Sequence, residues 1–509
     1  MSITRRLTEI CGPPFARFAG AADEVAGRPA RWVAVPGNPQ AAAEVLRLAA
    51  AHDLTVVPRG AGTKIDWGAA PEQVDILLDT GRLAGIGHQQ PGAPVADVGA
   101  GTPLRAVQAT LERTGQRLAL DAPSPGATVG GVLAADEAGP LRHRHGGPCD
   151  QLVSVRYLDA DGELVSAGGG RRGLELARLL CGSQGTLGVL VSATLRVQPV
   201  PASRFWVVRP VWTPLEVYDV VRAVLAARLD PAAVELDLPA RATRVHPSVH
   251  PDHPSMAARA RHPSMFRRRL GVTGAGSLAV LLEGGPADVH ERAERLLAVL
   301  GDGASVEHSA PPWWRRYPFG PGETALRIEV PITDLHAAVY ALRDAAGGPV
   351  PVRGSAGQGV VHAALPNSLP PERVASIVTA VRGVLLARHG RCVVVAAPAP
   401  VRQAVDLWGE LTSLPRLRAA KAHLDPHQRL APAASPAACD APPALVLAAP
   451  RTPAPPAPPH AAILHFRPLI RVISPNCRGQ NCKSPGLFGT PRRRENGGQV
   501  ARRRRSILV

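Results

Sequence analysis

The stretch "VVPRGAGTKIDWG", residues 56–68, runs from an apolar segment into Pro58 and Arg59. It then sheds its side chains at Gly60, Ala61 and Gly62 before Thr63 and Lys64. Leu54 to Val57 read as a strand. A backbone without Cβ atoms lets successive amide N–H groups approach an anion closely, and a turn of such amides forms an anion-holding concavity. The stretch is not a Walker loop, because no Gly-Lys-Ser/Thr follows, and it is not a G-x-G-x-x-G opening a helix.

Four further glycine-rich segments share its character: "GAGT" (99–102), "PGATVGG" (125–131), "HGGPCD" (145–150) and "GSQGTLG" (182–188). One such loop is common in turns. Several of them, joined to strands and confined to residues 59–188, point to an extended ligand that carries a diphosphate.

Around these loops, strand and helix signals alternate. Asn38-Pro39 opens a helix with Asn as the cap, and Val45, Leu46, Leu48 and Ala49 supply its apolar stripe. "VDILLD" and "PVADVGAG" read as strands. Thr102-Pro103 opens a helix that Gly115 closes, and "LVSVRYLDADGELVSAG" reads as a hairpin about Asp161-Gly162. A second domain begins near Arg204, with strands in "FWVVRPVW", "SLAVLLEGG", "TALRIEVPI", "GVVHAALP" and "CVVVAAP" and a helix through Val289 to Leu300. The prolines of "HPSVHPDHPSMAARARHPSM" (246–265) deny its histidines a fixed spacing, so it reads as an exposed insertion and not as a metal site.

With 509 residues the chain can bury at least two cores, since single cores stop growing near ~250 residues. The formal charge of +17 invites a nucleic-acid reading. Most of the excess, however, sits in residues 436–509, where Arg492–Arg494 and Arg502–Arg505 face only Asp440 and Glu495. That Pro- and Arg-rich segment reads as a disordered tail, and its abrupt change of composition is what a shifted reading frame in a GC-rich gene would produce. Seven irregularly spaced cysteines argue against a disulfide scaffold, and no run of ~18 apolar residues predicts a membrane span. The expected setting is the cytoplasm, with any contact at the inner face of the membrane made through partners.

"PRGAGTKIDWG", "SPGATVGGVLA" and "GSQGTLGVLVSATLRVQPVP" resemble the three signature segments of the PCMH-type, vanillyl-alcohol-oxidase-like FAD-binding domain. "VVVAAPAPVRQAVDLWGE" and "AAKAHLDPHQRLAP" extend the resemblance to the smaller flavin-binding subunits of bacterial glycolate oxidases. The resemblance implies an α+β fold. A lead-in at 1–29 precedes a PCMH-type FAD-binding domain of two α+β subdomains at 30–203. A smaller α+β domain of antiparallel sheet and helices follows at 204–433, then the basic tail at 434–509. It also implies that Pro58, Arg59, Gly60, Ala61, Gly62, Thr63 and Lys64 line the FAD diphosphate. Gly126, Ala127, Thr128, Val129, Gly130 and Gly131 would pass beside the diphosphate and flavin. Gly146 and Asp150, with Gly182, Ser183, Gly185, Thr186, Leu187 and Gly188, would complete the pocket. Many relatives attach FAD covalently through a histidine in the first loop. Thr63 stands in that place, which implies non-covalent FAD.

The chain departs from the pattern in two places. His145 and Cys149 replace a Tyr and an Arg in "RHGGPCD", and "GGGRRGLELARLLCGS" shortens the segment before the last glycine loop. Oxidation of a 2-hydroxy acid needs a cation for the carboxylate and a base for the hydroxyl proton. Catalytic relatives carry His-x-Gly-Asp-Gly-Asn-x-His in the second domain. In "SAGQGVVH" (355–362), Ser355, Gln358 and Val360 replace its polar members and only His362 remains. His362 reads as a strand histidine held by hydrogen bonding, and Arg327 as a strand arginine with a carboxylate partner or facing solvent. These two are the catalytic candidates. In "PPWWRRYPF" (311–319), Trp313 and Trp314 fit either a flavin stack, a protein interface or the core.

Three functions stay open on these residues: an accessory FAD subunit of a glycolate oxidase, a self-sufficient flavin oxidoreductase, and a structural subunit that has lost its flavin. The resemblance implies a larger flavoprotein subunit and an iron–sulfur subunit as partners, and glycolate as the substrate of the assembly.

Overall fold

A computed structural model describes residues 2–87, 94–240, 243–244, 272–273 and 276–434. The His-Pro-Ser tract and the stretch from 435 onward lie outside the described residues.

The first sheet is ordered Ala16–Phe18, Arg28–Ala34, Val74–Asp79, Val56–Arg59, and its last three strands run parallel. The helix Pro39–Ala51 makes the parallel crossover between them. Asn38 caps it by accepting from the Ala41 amide at 2.8 Å, and Ala42, Val45, Leu46 and Ala49 form the buried face. The second sheet is antiparallel, ordered Val95–Gly99, Val189–Pro199, Leu152–Leu158, Leu164–Gly168. Its hairpin falls at the Asp161-Gly162 turn, as the alternation predicts. Leu158, Val189 and Val191 from this sheet share one core with Val56, Ile76 and Leu78 from the first. Thr102 does not cap the helix that follows it. Its hydroxyl bonds the Gly85 amide and carbonyl (2.9 and 3.0 Å), and Pro103 alone precedes the helix Leu104–Glu112.

The third sheet has eight antiparallel strands, with Gly276–Gly284, Ala233–Leu238, Val352–Ser355, Val360–Leu365 and Thr324–Glu329 adjacent in that order. Successive side chains of a strand point to opposite faces. Val234, Leu236, Leu278, Val280, Leu326, Ile328, Val361 and Ala363 therefore meet the helices Pro214–Ala226, Pro286–Leu300, Leu335–Ala346 and Pro371–Leu386 in one core. The alternate positions, Glu235, Arg327, Arg353 and His362 among them, belong to the other face.

The helix Leu414–Leu424 and the residues after it leave this sheet and return to the first one. The Val56 amide donates to the Arg429 carbonyl and the Ala431 amide to the Val56 carbonyl, both at 2.8 Å. The stretch 414–433, placed by sequence in the second domain, thus packs on the first. Lys421 anchors it, fully buried, with its ammonium paired to Asp425 and donating to the carbonyls of Thr186 (2.7 Å) and Leu430 (2.9 Å). Removing one member of a buried pair strands the other charge. Lys421→Met is expected to cost about 3–5 kcal/mol, measured by urea unfolding.

Candidate functional site

The first glycine loop leaves the strand Val56–Arg59 at the end of the parallel sheet. The amides of Gly60, Ala61, Gly62, Thr63 and Lys64 donate to no acceptor among the described residues. The charged side chains beside them are already engaged. Arg59 pairs with Asp23 (3.0 Å) and Asp79 (2.9 Å), while Lys64 pairs with Glu137 and donates to the Ser124 hydroxyl at 2.8 Å. What the loop offers an anion is therefore its row of N–H groups.

The other loops close on it. A Cβ at Gly60 would lie 2.3 Å from the Thr128 hydroxyl oxygen, and one at Gly185 would lie 3.2 Å from the Pro58 ring. Gly62, Gly126 and Gly185 hold positive φ (71°, 80° and 78°). Thr128 also caps the helix Val129–Ala134, accepting from the Gly131 amide at 3.2 Å.

Several glycines that sequence grouped with the cradle are also closely packed against other parts of the chain. Gly130 donates to the Ala100 carbonyl at 2.8 Å, and a Cβ there would meet the Ala100 Cβ at 2.7 Å. Gly101 lies against the Thr80 carbonyl, and Gly188 against the Tyr157 ring. Asp150 turns back to accept from the Gly147 amide at 2.9 Å, and a Cβ at Gly146 would crowd its carboxylate. Thr186 bonds the Ser183 carbonyl (2.7 Å), the Gly182 amide donates to the Leu133 carbonyl (2.9 Å), and Ala127, Val129 and Leu187 are core residues.

Beyond the cradle, the polar face of the eight-stranded sheet meets residues 123–142 and the turn 313–317 around a cavity. Its walls include Arg142, Glu235, Tyr317, Arg353, Ser355 and His362. A polar chain joins the two places. Glu137, paired with Lys64 of the first loop, accepts from the Ser124 amide (3.0 Å) and hydroxyl (2.6 Å) and from the Tyr317 hydroxyl (3.0 Å). Burial and the neighbouring Glu137 raise the Tyr317 hydroxyl well above its usual range, so it remains a donor. The Tyr317 ring stands edge-on to His362 at 4.8 Å and stacks on Phe319 at 4.8 Å.

His362 is not held by the hydrogen bond that sequence suggested: its ring has none among the described residues. Burial, then Arg327, Arg142 and Lys64, push it down to about 3, so the imidazole is neutral and only a weak base. Burial likewise pushes the Glu235 carboxyl up to about 8. The Arg142 guanidinium makes no hydrogen bond or ion pair among the described residues. Burial and Arg327 lower it, yet an arginine keeps its charge at neutral pH. Arg353 is engaged by Asp237 at 2.7 Å. Arg327, the second sequence candidate, pairs with Glu329 and lies opposite His362 in register, but it does not line the cavity. Trp313 does line it, and Trp314 is core.

Sequence reasoning missed Arg142, Tyr317 and Glu235. Glu235 alone left a signal, as a carboxylate in the apolar strand "AAVELDL". Arg142 is masked by the basic run "LRHRHGG", and Tyr317 by the tryptophans beside it.

Residues 30–168 match the family described as FAD binding domain. Over 174 residues the chain is 32% identical to D-lactate dehydrogenase of Archaeoglobus fulgidus, covering 33% of this chain and 38% of that protein. Over 130 residues it is 36% identical to glycolate oxidase subunit GlcE of Escherichia coli, covering 24% of this chain and 37% of that protein. The chain thus spans less than half the length of these relatives. In fold it is similar to p-cresol methylhydroxylase, with a TM-score of 0.63 at 14% identity over 84% of this chain and 95% of that one. This likeness is to the PCMH-type FAD-binding fold, and residues 30–168 are the part that matches the FAD binding domain family.

The raised Glu235 pKa carries a consequence for stability. A carboxyl whose folded pKa exceeds its ordinary value contributes most below that ordinary value, and the contribution is lost as pH rises through about 8. Stability is expected to fall by on the order of 3 kcal/mol between pH 5 and pH 9 through this group. Glu235→Gln should flatten the slope in urea midpoints measured across that range.

Proposed function

We propose that the chain is an FAD-dependent oxidoreductase acting on a small 2-hydroxy acid, and that it works as the flavin-binding subunit of a glycolate-oxidising assembly. The observation that carries this reading is the cavity in which an unpaired Arg142 shares the walls with a neutral, unbonded His362. The free amides of Gly60–Lys64, and the absence of room for a Cβ at Gly60, fit the diphosphate of FAD held at the first loop, with Gly126 and Thr128 beside it. Bound FAD would supply the acceptor for the electrons that leave the α-carbon.

The protein's own residues supply the rest. Arg142 takes the carboxylate through charge-assisted hydrogen bonds, which a half-buried setting strengthens. His362 accepts the hydroxyl proton: its imidazole is neutral, and a carboxylate bound at Arg142 would offset part of the positive charge that holds its pKa down. Glu235, protonated below about 8, keeps the wall free of negative charge that would repel the substrate. Tyr317, tied through Glu137 to Lys64, holds the wall of the cavity in register with the first loop.

The assembly reading draws on the resemblance of the loop segments and on the likeness to a glycolate oxidase subunit. Its partners would be a larger flavoprotein subunit and an iron–sulfur subunit that accepts the electrons. The alternative of a self-sufficient enzyme is favoured by one observation: anchor and base both come from this chain.

Dye-linked turnover of glycolate and D-lactate, by the purified chain and by the chain co-purified with its partners, tests the reading. Arg142→Met is expected to raise KM roughly tenfold or more with kcat less affected. His362→Asn is expected to lower kcat roughly 10²–10⁴-fold. Unchanged kinetics in both variants would remove the cavity from the reaction. Gly60→Ala is expected to weaken FAD uptake about tenfold or more, read by flavin fluorescence titration.

A further inference from the structure

Both places where the chain departs from its family pattern put a cysteine at the same spot. Cys149 lies in the turn of helix Pro148–Gln151, and Cys181 ends the helix Arg171–Leu180 just before the loop Gly182–Gly188. The two segments converge on Asp136: Cβ positions built at Gly147 and Gly182 fall 3.4 Å from its Oδ1 and Cβ, respectively. The Cys181 thiol lies 3.8 Å from the Asp136 carboxylate, and the Cys149 sulfur lies 4.0 Å from the Arg178 carbonyl. Both thiols thus stand at one spot, between Asp136 and the last turn of the helix Arg171–Leu180, and the Cys149 backbone amide itself bonds the Asp136 carboxylate. Both are free and half-buried, whereas Cys11 and Cys392 are buried.

We propose that Cys149 and Cys181 are a redox-active pair that forms a reversible disulfide, tying the turn 147–151 to the start of the glycine loop 182–188. The oxidant is hydrogen peroxide. The Cys149 thiolate attacks the peroxide oxygen, the O–O bond breaks, and a sulfenic acid forms with release of water. The Cys181 sulfur then displaces the hydroxyl as a second water, forming the S–S bond. In sum, two thiols lose two electrons and two protons to one peroxide, which becomes two waters.

The neighbours assign these roles. The neighbouring Cys181, and more weakly Arg178, lower the Cys149 thiol against burial, Asp136 and Asp150, which favours its thiolate. Cys181 is pushed up by its bond to Cys149, by burial and by Asp136, so it enters second, as the resolving thiol.

The test is direct and independent of any flavin chemistry. The full chain is treated with hydrogen peroxide, alkylated and mapped by mass spectrometry without reduction. A Cys149–Cys181 linked peptide is expected, lighter by about 2 Da than the two thiol peptides together and released by dithiothreitol. In Cys181→Ser, Cys149 is expected to accumulate a dimedone-reactive sulfenic acid. In Cys149→Ser, Cys181 is expected to stay alkylatable. Cys439, Cys477 and Cys482 serve as internal controls. Over-oxidation of Cys149 without a cross-link, or pairing of either residue with those three, would overturn the proposal.

Discussion

The ion pair between Lys64 and Glu137 is the interaction on which the rest of the site depends. It is almost wholly removed from water, with side chains 12% and 1% exposed. A charge so placed is tolerated only when it is paired and its remaining hydrogen-bonding capacity is met. Ser124 and Tyr317 meet it. Because those two residues come from the second loop and from the turn beside the eight-stranded sheet, the pair fixes three parts of the chain at one point. The bare loop Gly60–Thr63 and the wall of the cavity are held in register by the same few bonds.

The pair also explains why the loop can act through its backbone alone. Arg59 and Lys64 flank the amides, yet each is neutralised within the protein, by Asp23 and Asp79 or by Glu137. Side-chain cations therefore contribute little net charge at the loop. Specific hold on an anion falls to directed N–H groups, whose positions are set by the strand they follow and by Thr128 above Gly60. In the cavity the division is reversed. Glu235 and His362 are neutral because burial disfavours their charged forms, while Arg142, Arg315 and Arg316 line the cavity with no ion pair among the described residues. Arginines set among neutral polar groups suit a small anion.

Much of the architecture was legible in the chain itself. The strand and helix signals around Asn38-Pro39, the hairpin at Asp161-Gly162 and the strands of the third sheet follow from local periodicity and turn chemistry, and those are properties of neighbouring residues. The glycine loops were legible as a group but not one by one. Gly60 belongs to the row of free amides and also has Thr128 against it, while Gly130, Gly101 and Gly188 have another backbone or ring where a Cβ would go. A glycine that admits a ligand and one that admits a carbonyl leave the same letter in the sequence. Thr102 shows the same limit, since its hydroxyl serves Gly85, a segment apart, and not the helix beside it.

By itself, then, the sequence determined the α+β pattern, the bare loop at 60–63 and the strand character of 360–365, because all three rest on contacts within a few residues. Only the tertiary structure decided that His362, Arg142 and Tyr317 share a cavity, that Arg327 is turned away to Glu329, and that residues 414–434 return to the first sheet. Each of those outcomes depends on which face of a strand is buried and on what distant segment covers it. Burial also sets which groups are charged, and no single residue in the chain announces its own burial.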